Sequence, residues 1–241
     1  MFFRARSIAF AAASLCLAGA AAAAPITAAF TDFGTLAGAT FGGTGIPNTA
    51  VAITTVPGAA GAPNALTLGL TATPRFFAPP PTNNLLGTFT AQAGVSMNAP
   101  SPANPYATWN FSWYIGGESR SQYSFNLFYD FDPAAGNFEA THGRIAFPLN
   151  GSGITQGSWN LGMDFLEADF IIPAFSNTRP VFASFDPNVA GQYTFALVAY
   201  NANGIEAARS AFVLNVVPEP TSLALVGLAL AGLGFVGRRK A

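Results

Sequence analysis

The chain has 241 residues, with 10 Lys and Arg, 11 Asp and Glu, one His and one Cys. Between residues 24 and 217 the cations are five arginines, which stand against ten carboxylates and leave a formal charge of −5. Phosphate contacts need cations, so this stretch is a poor binder of nucleic acid and offers no basic patch to anionic lipid. Cys16 lies near the N-terminus, so the later chain forms no disulfide and holds no thiolate metal site.

The N-terminus has the layout of a secretory signal peptide. Two arginines form a short basic region, an apolar stretch follows, and a run of alanines comes next. Ala21 and Ala23 supply the small residues that signal peptidase requires before the cut. This predicts an N-terminal signal helix over residues 1–23 and a mature chain that begins at Ala24. An uncleaved anchor is the alternative, although the apolar stretch is short for spanning a membrane.

Residues 24–217 are predicted to form an all-β, antiparallel β-sandwich. Apolar side chains alternate with polar ones at period two, which is typical of strands with one buried and one wet face. Short intervals of Gly, Pro and Asn separate the runs, as in sandwiches. On the run with Trp109, Phe111 and Trp113 on one face, the opposite face carries Asn110, Ser112 and Tyr114. The clearest alternations are Trp109, Phe111 and Trp113; Tyr123 to Phe131; Ile145, Phe147 and Leu149; and Trp159 to Phe165, with weaker strands at 49–56, 65–73 and 85–91.

The last part of this region predicts a hairpin. Two alternating runs, 193–199 and 212–216, flank the turn residues 201–204, where Asn and Gly tolerate positive φ. Just before it, residues 186–193 end in Tyr193 and resemble the tyrosine corner of immunoglobulin-like sandwiches. A generic turn before an edge strand is the alternative, so the immunoglobulin-like assignment stays open.

A proline-rich loop at residues 98–105 is a candidate boundary inside this region. It divides an Ala-, Gly- and Thr-rich segment from the stronger strands that follow. We favour one domain over 24–217 with long surface loops, and a subdivision near 98–105 remains the alternative.

A group of oxygen donors begins at the end of the run Tyr123 to Phe131. Asp130, Asp132, Asn137 and Glu139 lie close together in the sequence, and such donors in a loop suit Ca²⁺. The spacing departs from the EF-hand loop, and the alternative is that Asp132 caps a turn while Glu139 is solvated. His142 is expected to be a solvated loop residue, because no Gly-x-Ser-x-Gly element accompanies it.

Two further sets of residues suggest carbohydrate chemistry. Asp164, Glu167 and Asp169 would suit a glycosidase carboxylate pair, and the alternative is a wet rim near a strand end. Tyr114 and Trp159 are candidates for stacking on a sugar, although aromatic residues also build sandwich cores.

The C-terminal tail predicts a membrane segment. Residues 221–236 carry no charge, and as a helix they cover about 24 Å, against a hydrocarbon thickness of ~30 Å. They span if the following cations snorkel or the bilayer thins. Arg238, Arg239 and Lys240 keep the C-terminus cytoplasmic and place the domain outside. We therefore predict a transmembrane helix over 221–236.

The tail as a whole resembles a known sorting signal. Pro218, Glu219 and Pro220, a short apolar segment and then the basic cluster at 238–240 occur in the order of the PEP-CTERM signal of Gram-negative bacteria. The resemblance covers 25 residues and implies cleavage near the motif by the membrane protease exosortase. It also implies a released or surface product, often linked to exopolysaccharide and biofilm.

Together these features predict an exported, non-enzymatic surface or matrix protein that interacts with polysaccharide. A secreted glycan hydrolase and a calcium-stabilised adhesin-like module are the alternatives. Signal peptidase and exosortase are the expected processing partners, and the inner membrane is a transient one. No cofactor is expected apart from Ca²⁺ in the third hypothesis.

Overall fold

A computed structural model describes residues 24–58, 65–100, 105–148 and 155–219. Within these ranges the chain forms β-strands and three short 3-10 helices, at Arg120–Gln122, Glu139–Thr141 and Asp164–Glu167. A search of these residues for helices with the length and hydropathy of a membrane span finds none. The strands are β1 (Asp32–Gly34), β2 (Val51–Val56), β3 (Leu66–Pro74), β4 (Thr82–Asn83), β5 (Thr88–Gln92), β6 (Trp109–Gly116), β7 (Ser124–Tyr129), β8 (Gly143–Phe147), β9 (Gln156–Trp159), β10 (Phe170–Ile171), β11 (Ser176–Thr178), β12 (Gly191–Tyr200) and β13 (Glu206–Val217).

The strands form two sheets, which confirms the all-β prediction. One sheet has five strands in the order β1-β2-β3-β6-β9, and the other has eight in the order β10-β11-β8-β7-β12-β13-β5-β4. Among the strands of the described residues, the pair of β13 with β5 is parallel and the other pairs are antiparallel. Strand β13 therefore has a hydrogen-bonded neighbour on each side, β12 and β5.

The main core lies between the sheets and is built from aromatic rings. Phe111 of β6 stacks on Phe195 of β12 at 5.2 Å between ring centroids, and it lies parallel to Tyr129 of β7 at 6.4 Å. Phe195 in turn stacks on Phe212 at 4.9 Å. Each fully buried phenylalanine contributes roughly 1.5–3 kcal/mol through the hydrophobic effect. The cluster extends from Leu66 to Val216 along the chain.

The predicted strand from Trp159 to Phe165 is wrong beyond its first residue. Strand β9 ends at Trp159, and the chain then turns into the 3-10 helix Asp164–Glu167. The cause is Asn160, whose buried amide donates to the carbonyls of Ala107 and Trp109 while its oxygen accepts from Ala107 and Gly162. These bonds hold a turn where the period-two pattern indicated a strand.

The predicted strand 85–91 begins later than expected. Leu85 has φ 62° and Gly87 has φ 77°, so the chain turns before β5 starts at Thr88. The side chains of Asn83 and Asn84 accept hydrogen bonds from the backbone amides of Leu85 and Leu86. Asparagine side chains commonly stabilise turns in this way.

The outer face of the five-stranded sheet is covered rather than wet. Residues 36–53 place a second small apolar cluster there, which includes Phe41 and packs against Tyr114. The side-chain oxygen of Gln156 accepts hydrogen bonds from the amides of Thr40 and Phe41 and fixes this cover. On the same face Ser112 is fully buried, and its hydroxyl contacts those of Thr73 and Ser158.

The predicted hairpin is confirmed. Strands β12 and β13 pair from Gly191 and Val216 to Tyr200 and Glu206, with a register shift after Ala199. In the turn the side chain of Asn201 accepts hydrogen bonds from the amides of Asn203 and Ile205. The hydroxyl of Tyr193 donates to the carbonyl of Val189 at 3.2 Å, as the tyrosine-corner hypothesis requires. Burial, followed by nearby carboxylates, raises the pKa of this tyrosine above its usual range.

The first residues after the predicted signal peptide lie against the eight-stranded sheet. Ala29 exchanges two backbone hydrogen bonds with Ala211, at 3.0 and 2.7 Å. Ile26 is buried against Phe128, Val198 and their neighbours. The outer face of the sheet is thus partly covered by the N-terminal end of the described chain.

Candidate functional site

A buried polar cluster lies where three elements meet. Asp130 follows β7, His142 follows the 3-10 helix Glu139–Thr141, and Thr194 lies on β12. The Nε2 atom of His142 is 2.6 Å from Oγ1 of Thr194 and 3.5 Å from Oδ2 of Asp130. All three residues are buried, so the expectation of a solvated histidine is wrong.

The hydrogen bond at Nδ1 of His142 fixes one of its ring protons. Nδ1 lies 2.9 Å from the carbonyl oxygen of Phe138, which only accepts. We therefore assign a proton to Nδ1, whereas Nε2 faces the hydroxyl of Thr194. The histidine is held on both sides by groups of the fold.

Asp130 is also fully engaged. Its Oδ1 accepts from the amide of Asp132 at 3.0 Å, and its Oδ2 accepts from the side chain of Asn137 at 3.1 Å. Burial raises the pKa of Asp130, and the charge of His142 and these hydrogen bonds offset only part of that rise. The carboxyl thus binds its proton more tightly than an exposed aspartate does.

This cluster lacks the geometry of a catalytic triad. In a triad the acid and the nucleophile contact opposite nitrogens of the ring. Here Asp130 and Thr194 both face Nε2, while Nδ1 contacts a backbone carbonyl. The arrangement instead ties β7, β12 and the segment before β8 together.

The proposed calcium ligands are divided between two networks. Asp130 and Asn137 belong to the histidine cluster, whereas the carboxylate of Glu139 forms a 2.6 Å ion pair with Arg209. The carboxylate of Asp132 accepts a hydrogen bond from the amide of Ala134. It therefore caps a turn, which was the alternative to calcium binding for this residue. In the part of the chain that the structure describes, no group of three or more His, Cys, Asp or Glu is placed to hold a metal ion.

The three acids of the hydrolase hypothesis are exposed around the last 3-10 helix. Asp164 and Glu167 lie on it, and Asp169 follows and accepts a hydrogen bond from the amide of Arg179 at 2.7 Å. A shallow depression next to Arg179 includes Asp169 without the other two acids. A glycosidase pair needs two carboxylates that face one cleft.

The two proposed sugar-stacking residues are half-buried. Trp159 packs against Trp113, Phe165 and Phe175, with ring centroids 4.4, 4.9 and 5.2 Å away. Tyr114 packs beneath the cover of the five-stranded sheet. Neither residue forms an open stacking platform.

A surface depression that the sequence did not indicate lies beside Phe76. Its volume is about 410 Å³, and its lining includes the loop 43–47, Arg75, Phe76, Asn110 and Ser158. Asn110 donates to Ser158 at 3.2 Å. Phe76 is 66% exposed and has φ 49°, an unusual conformation for a residue with a side chain. Strain of this kind is often found at binding sites.

The guanidinium of Arg75 lies between two aromatic rings at the edge of this depression. Its carbon is 4.4 Å from the ring centroid of Tyr106 and 4.9 Å from that of Phe76. Burial lowers the pKa of Arg75 somewhat, yet arginine stays charged at neutral pH. The depression therefore combines an exposed ring, a cation, an amide and a hydroxyl.

The sorting residues begin where the last strand ends. The carbonyl of Val217, at the end of β13, accepts a hydrogen bond from the amide of Ala93 at 2.8 Å. Pro218 and Glu219 follow and are exposed. The other predicted processing positions lie outside the described residues: Ala21, Ala23, Pro220, Arg238, Arg239, Lys240 and the whole segments 1–23 and 221–236.

Comparison with protein-family models finds the PEP-CTERM protein-sorting motif at residues 216–240. This confirms the resemblance seen in the tail and marks the chain as an exported protein that is sorted at the membrane by exosortase. The match overlaps the last two residues of β13. Comparisons with curated proteins and with solved structures give no match.

Proposed function

We propose that this protein is a non-enzymatic β-sandwich that acts at the cell surface or in the extracellular matrix. The observation that carries the proposal is the sorting motif, which begins in the last two residues of β13. In this view residues 1–23 are a signal peptide, and residues 221–236 hold the chain in the inner membrane until exosortase cuts near Pro218. The sandwich itself is immunoglobulin-like, a proposal supported by the Tyr193 hydrogen bond and by the sheet order β5-β13-β12-β7-β8.

Mass spectrometry of the termini tests this proposal. We expect the protein recovered from the medium or cell surface to begin at Ala24 and to end near Pro218. Removal of exosortase, or replacement of Pro218, Glu219 and Pro220 by alanine, should leave the intact tail in the membrane fraction. Asp186→Asn, a substitution on a neighbouring exposed turn, is the control and should be processed normally. Recovery from the medium of a species that retains residues 238–240 would contradict the proposal.

We further propose that the body binds polysaccharide of the matrix through the depression beside Phe76. An exposed aromatic ring suits the C–H face of a sugar, and convergent polar groups suit its hydroxyls. Phe76 supplies the ring, and Asn110, Ser158 and Arg75 supply polar groups in the same depression. Because the body carries a net charge of −5, we expect neutral glycans to bind better than acidic ones.

Binding of exopolysaccharide fractions to the released protein tests this second proposal. Phe76→Ala and Asn110→Ala should each weaken binding by about tenfold, roughly the effect of one lost stacking or hydrogen-bonding contact. Phe77→Ala is a matched control, because Phe77 is 96% exposed and does not line the depression. Equal binding by all three variants would place the glycan elsewhere.

A further inference from the structure

The chain leaves the folded body very close to its predicted membrane segment. Strand β13 ends at Val217, and only residues 218–220 separate it from the apolar stretch that starts at Thr221. Fully extended, three residues cover about 10 Å. The polar headgroup layer on one side of a bilayer is roughly 5–8 Å thick. When the segment 221–236 lies in the membrane, the end of the body that carries Val217 must therefore lie at the headgroups.

The loops at this end are tied into one surface around residues 93–98. The amide of Gly94 donates to the carbonyl of Pro187 at 2.7 Å. The amide of Ser96 donates to the carbonyl of Tyr106, also at 2.7 Å. The side chain of Arg75 reaches the carbonyl of Asn98 at 3.3 Å. Together with the bond between Ala93 and Val217, these contacts hold four segments beside the point where the tail leaves.

This end exposes large apolar side chains around the tail. Met97 is fully exposed, and Phe77 is 96% exposed on the loop that follows Arg75. Single exposed apolar residues are ordinary, but several on adjoining loops mark an interaction surface. We call the group the exit surface, and its members are Phe77, Val95, Met97, Val189 and Val217.

We infer that the exit surface lies on the lipid bilayer for as long as the tail is uncut. The inference rests on the proposed membrane sorting of the tail and adds an orientation of the body to it. The short connection selects lipid over other occupants, because it brings this end to the bilayer and leaves no room for another protein between them. In this orientation the exit surface faces the bilayer, and the β12–β13 turn, which contains Ile205, lies at the end of the body farthest from the membrane.

The charges at this end indicate how the contact is made. Arg75 is a cation on these loops, whereas Asp186 and Glu219 are exposed carboxylates close to the tail. Electrostatic attraction to anionic lipid is therefore weak, and the contact depends on apolar side chains that enter the interfacial layer. Contact should be similar on zwitterionic and anionic bilayers and should change little with salt.

Site-specific fluorescence on the intact chain in vesicles tests the inference. Met97→Cys is introduced into the signal-processed full chain, which then has a single cysteine, and the thiol carries a polarity-sensitive dye. We expect a blue-shifted emission and quenching by brominated lipids, both in phosphatidylcholine vesicles and in vesicles with phosphatidylglycerol. Ile205→Cys is the matched control, since Ile205 is 61% exposed on the opposite turn, and its dye should report water.

The outcomes separate this inference from the sorting proposal. If alkaline carbonate extracts the chain from the vesicles, the membrane segment itself is wrong and the sorting proposal fails. If the chain resists extraction but the dye at position 97 reports water as at position 205, only the orientation is overturned. A blue shift that appears without vesicles and grows with protein concentration would assign the exit surface to a second copy, and it would also overturn the inference.

Discussion

Two regions of this molecule are both closed to water, but different interactions hold them together. Between the sheets, Phe111, Phe195 and Phe212 stack in an apolar core. At the cluster of Asp130, His142 and Thr194, hydrogen bonds join buried polar groups. The stability of the core should therefore depend on packing and scarcely on pH, whereas the polar cluster should respond both to the deletion of a hydrogen bond and to pH.

The largest effect is expected in the apolar core. Phe111→Ala should lower the free energy of unfolding by about 3–5 kcal/mol, because it removes buried apolar surface and leaves a cavity. Urea unfolding of the released protein measures it. Phe77→Ala, at an exposed position, should change stability by less than about 0.5 kcal/mol. Equal losses for both variants would mean that Phe111 is not a core residue.

The next effect concerns Asn160, a buried polar group at the edge of the core. Asn160→Ala should cost about 3 kcal/mol, since it orphans the buried groups of Ala107 and Trp109, at roughly 1–3 kcal/mol each. Asn188→Ala is the control on an exposed turn, where water replaces the lost side-chain hydrogen bond to Asp186. A loss no greater than that of the control would contradict the role of Asn160 in the turn after β9.

The polar cluster predicts a pH dependence of stability. The folded-state pKa of Asp130 is raised by burial, so the folded state holds this proton more tightly than the unfolded state. The resulting stabilisation is complete below the unfolded pKa of about 3.9 and is lost as pH rises through the folded pKa. Urea unfolding between pH 4 and 7 should show the wild type losing stability relative to Asp130→Asn as pH increases.

The groups that face Asp130 also influence its pKa and therefore the pH dependence of stability. His142 and Asp132 are its charged neighbours, and Asn137 and Thr194 are its hydrogen-bond donors. Phe195→Leu, a core variant, should be less stable at every pH without altering the slope. A wild-type stability that rises relative to Asp130→Asn over this range would refute the raised pKa.

The smallest effect is expected at the tyrosine corner. Tyr193→Phe removes the hydrogen bond to Val189 and keeps the ring in the core, so about 1 kcal/mol should be lost. Differential scanning calorimetry resolves a change of this size. No change in melting temperature would show that the bond contributes nothing net. A much larger loss would mean that the ring itself had been displaced.

The parts of the fold that sequence predicts well are those with local, repeated patterns. The alternation in β6, β7 and β12 and the Asn-rich turn at 201–204 are each visible within a few residues of sequence. The structure has strands at these three places and a hairpin at the turn. Where a side chain competed with the pattern, prediction failed. The hydrogen bonds of Asn160 hold a turn within an alternating run. Its partners, Ala107 and Trp109, lie 53 and 51 residues away, so no local pattern indicates them.

The candidate sites show the same division. The tail was recognised because its elements occur in order within 25 residues. The burial of His142 had no local signal, because Thr194 approaches it from 52 residues away. The depression beside Phe76 also needs the loop 43–47 and Ser158, which only the folded chain brings together. The strain at Phe76 is a backbone property that its side-chain type does not reveal.

The pairing of β13 on both sides has a mechanical consequence. A force that pulls on the tail acts along the axis of β13, and it loads the hydrogen bonds to β12 and β5 together in shear. To be extracted, the strand must break both ladders at once instead of opening them one bond at a time. The tail is therefore joined to the body by a strand that resists extraction under force. A membrane-bound enzyme that binds the tail can extend the chain only from residue 218 onward, unless it unfolds the sheet.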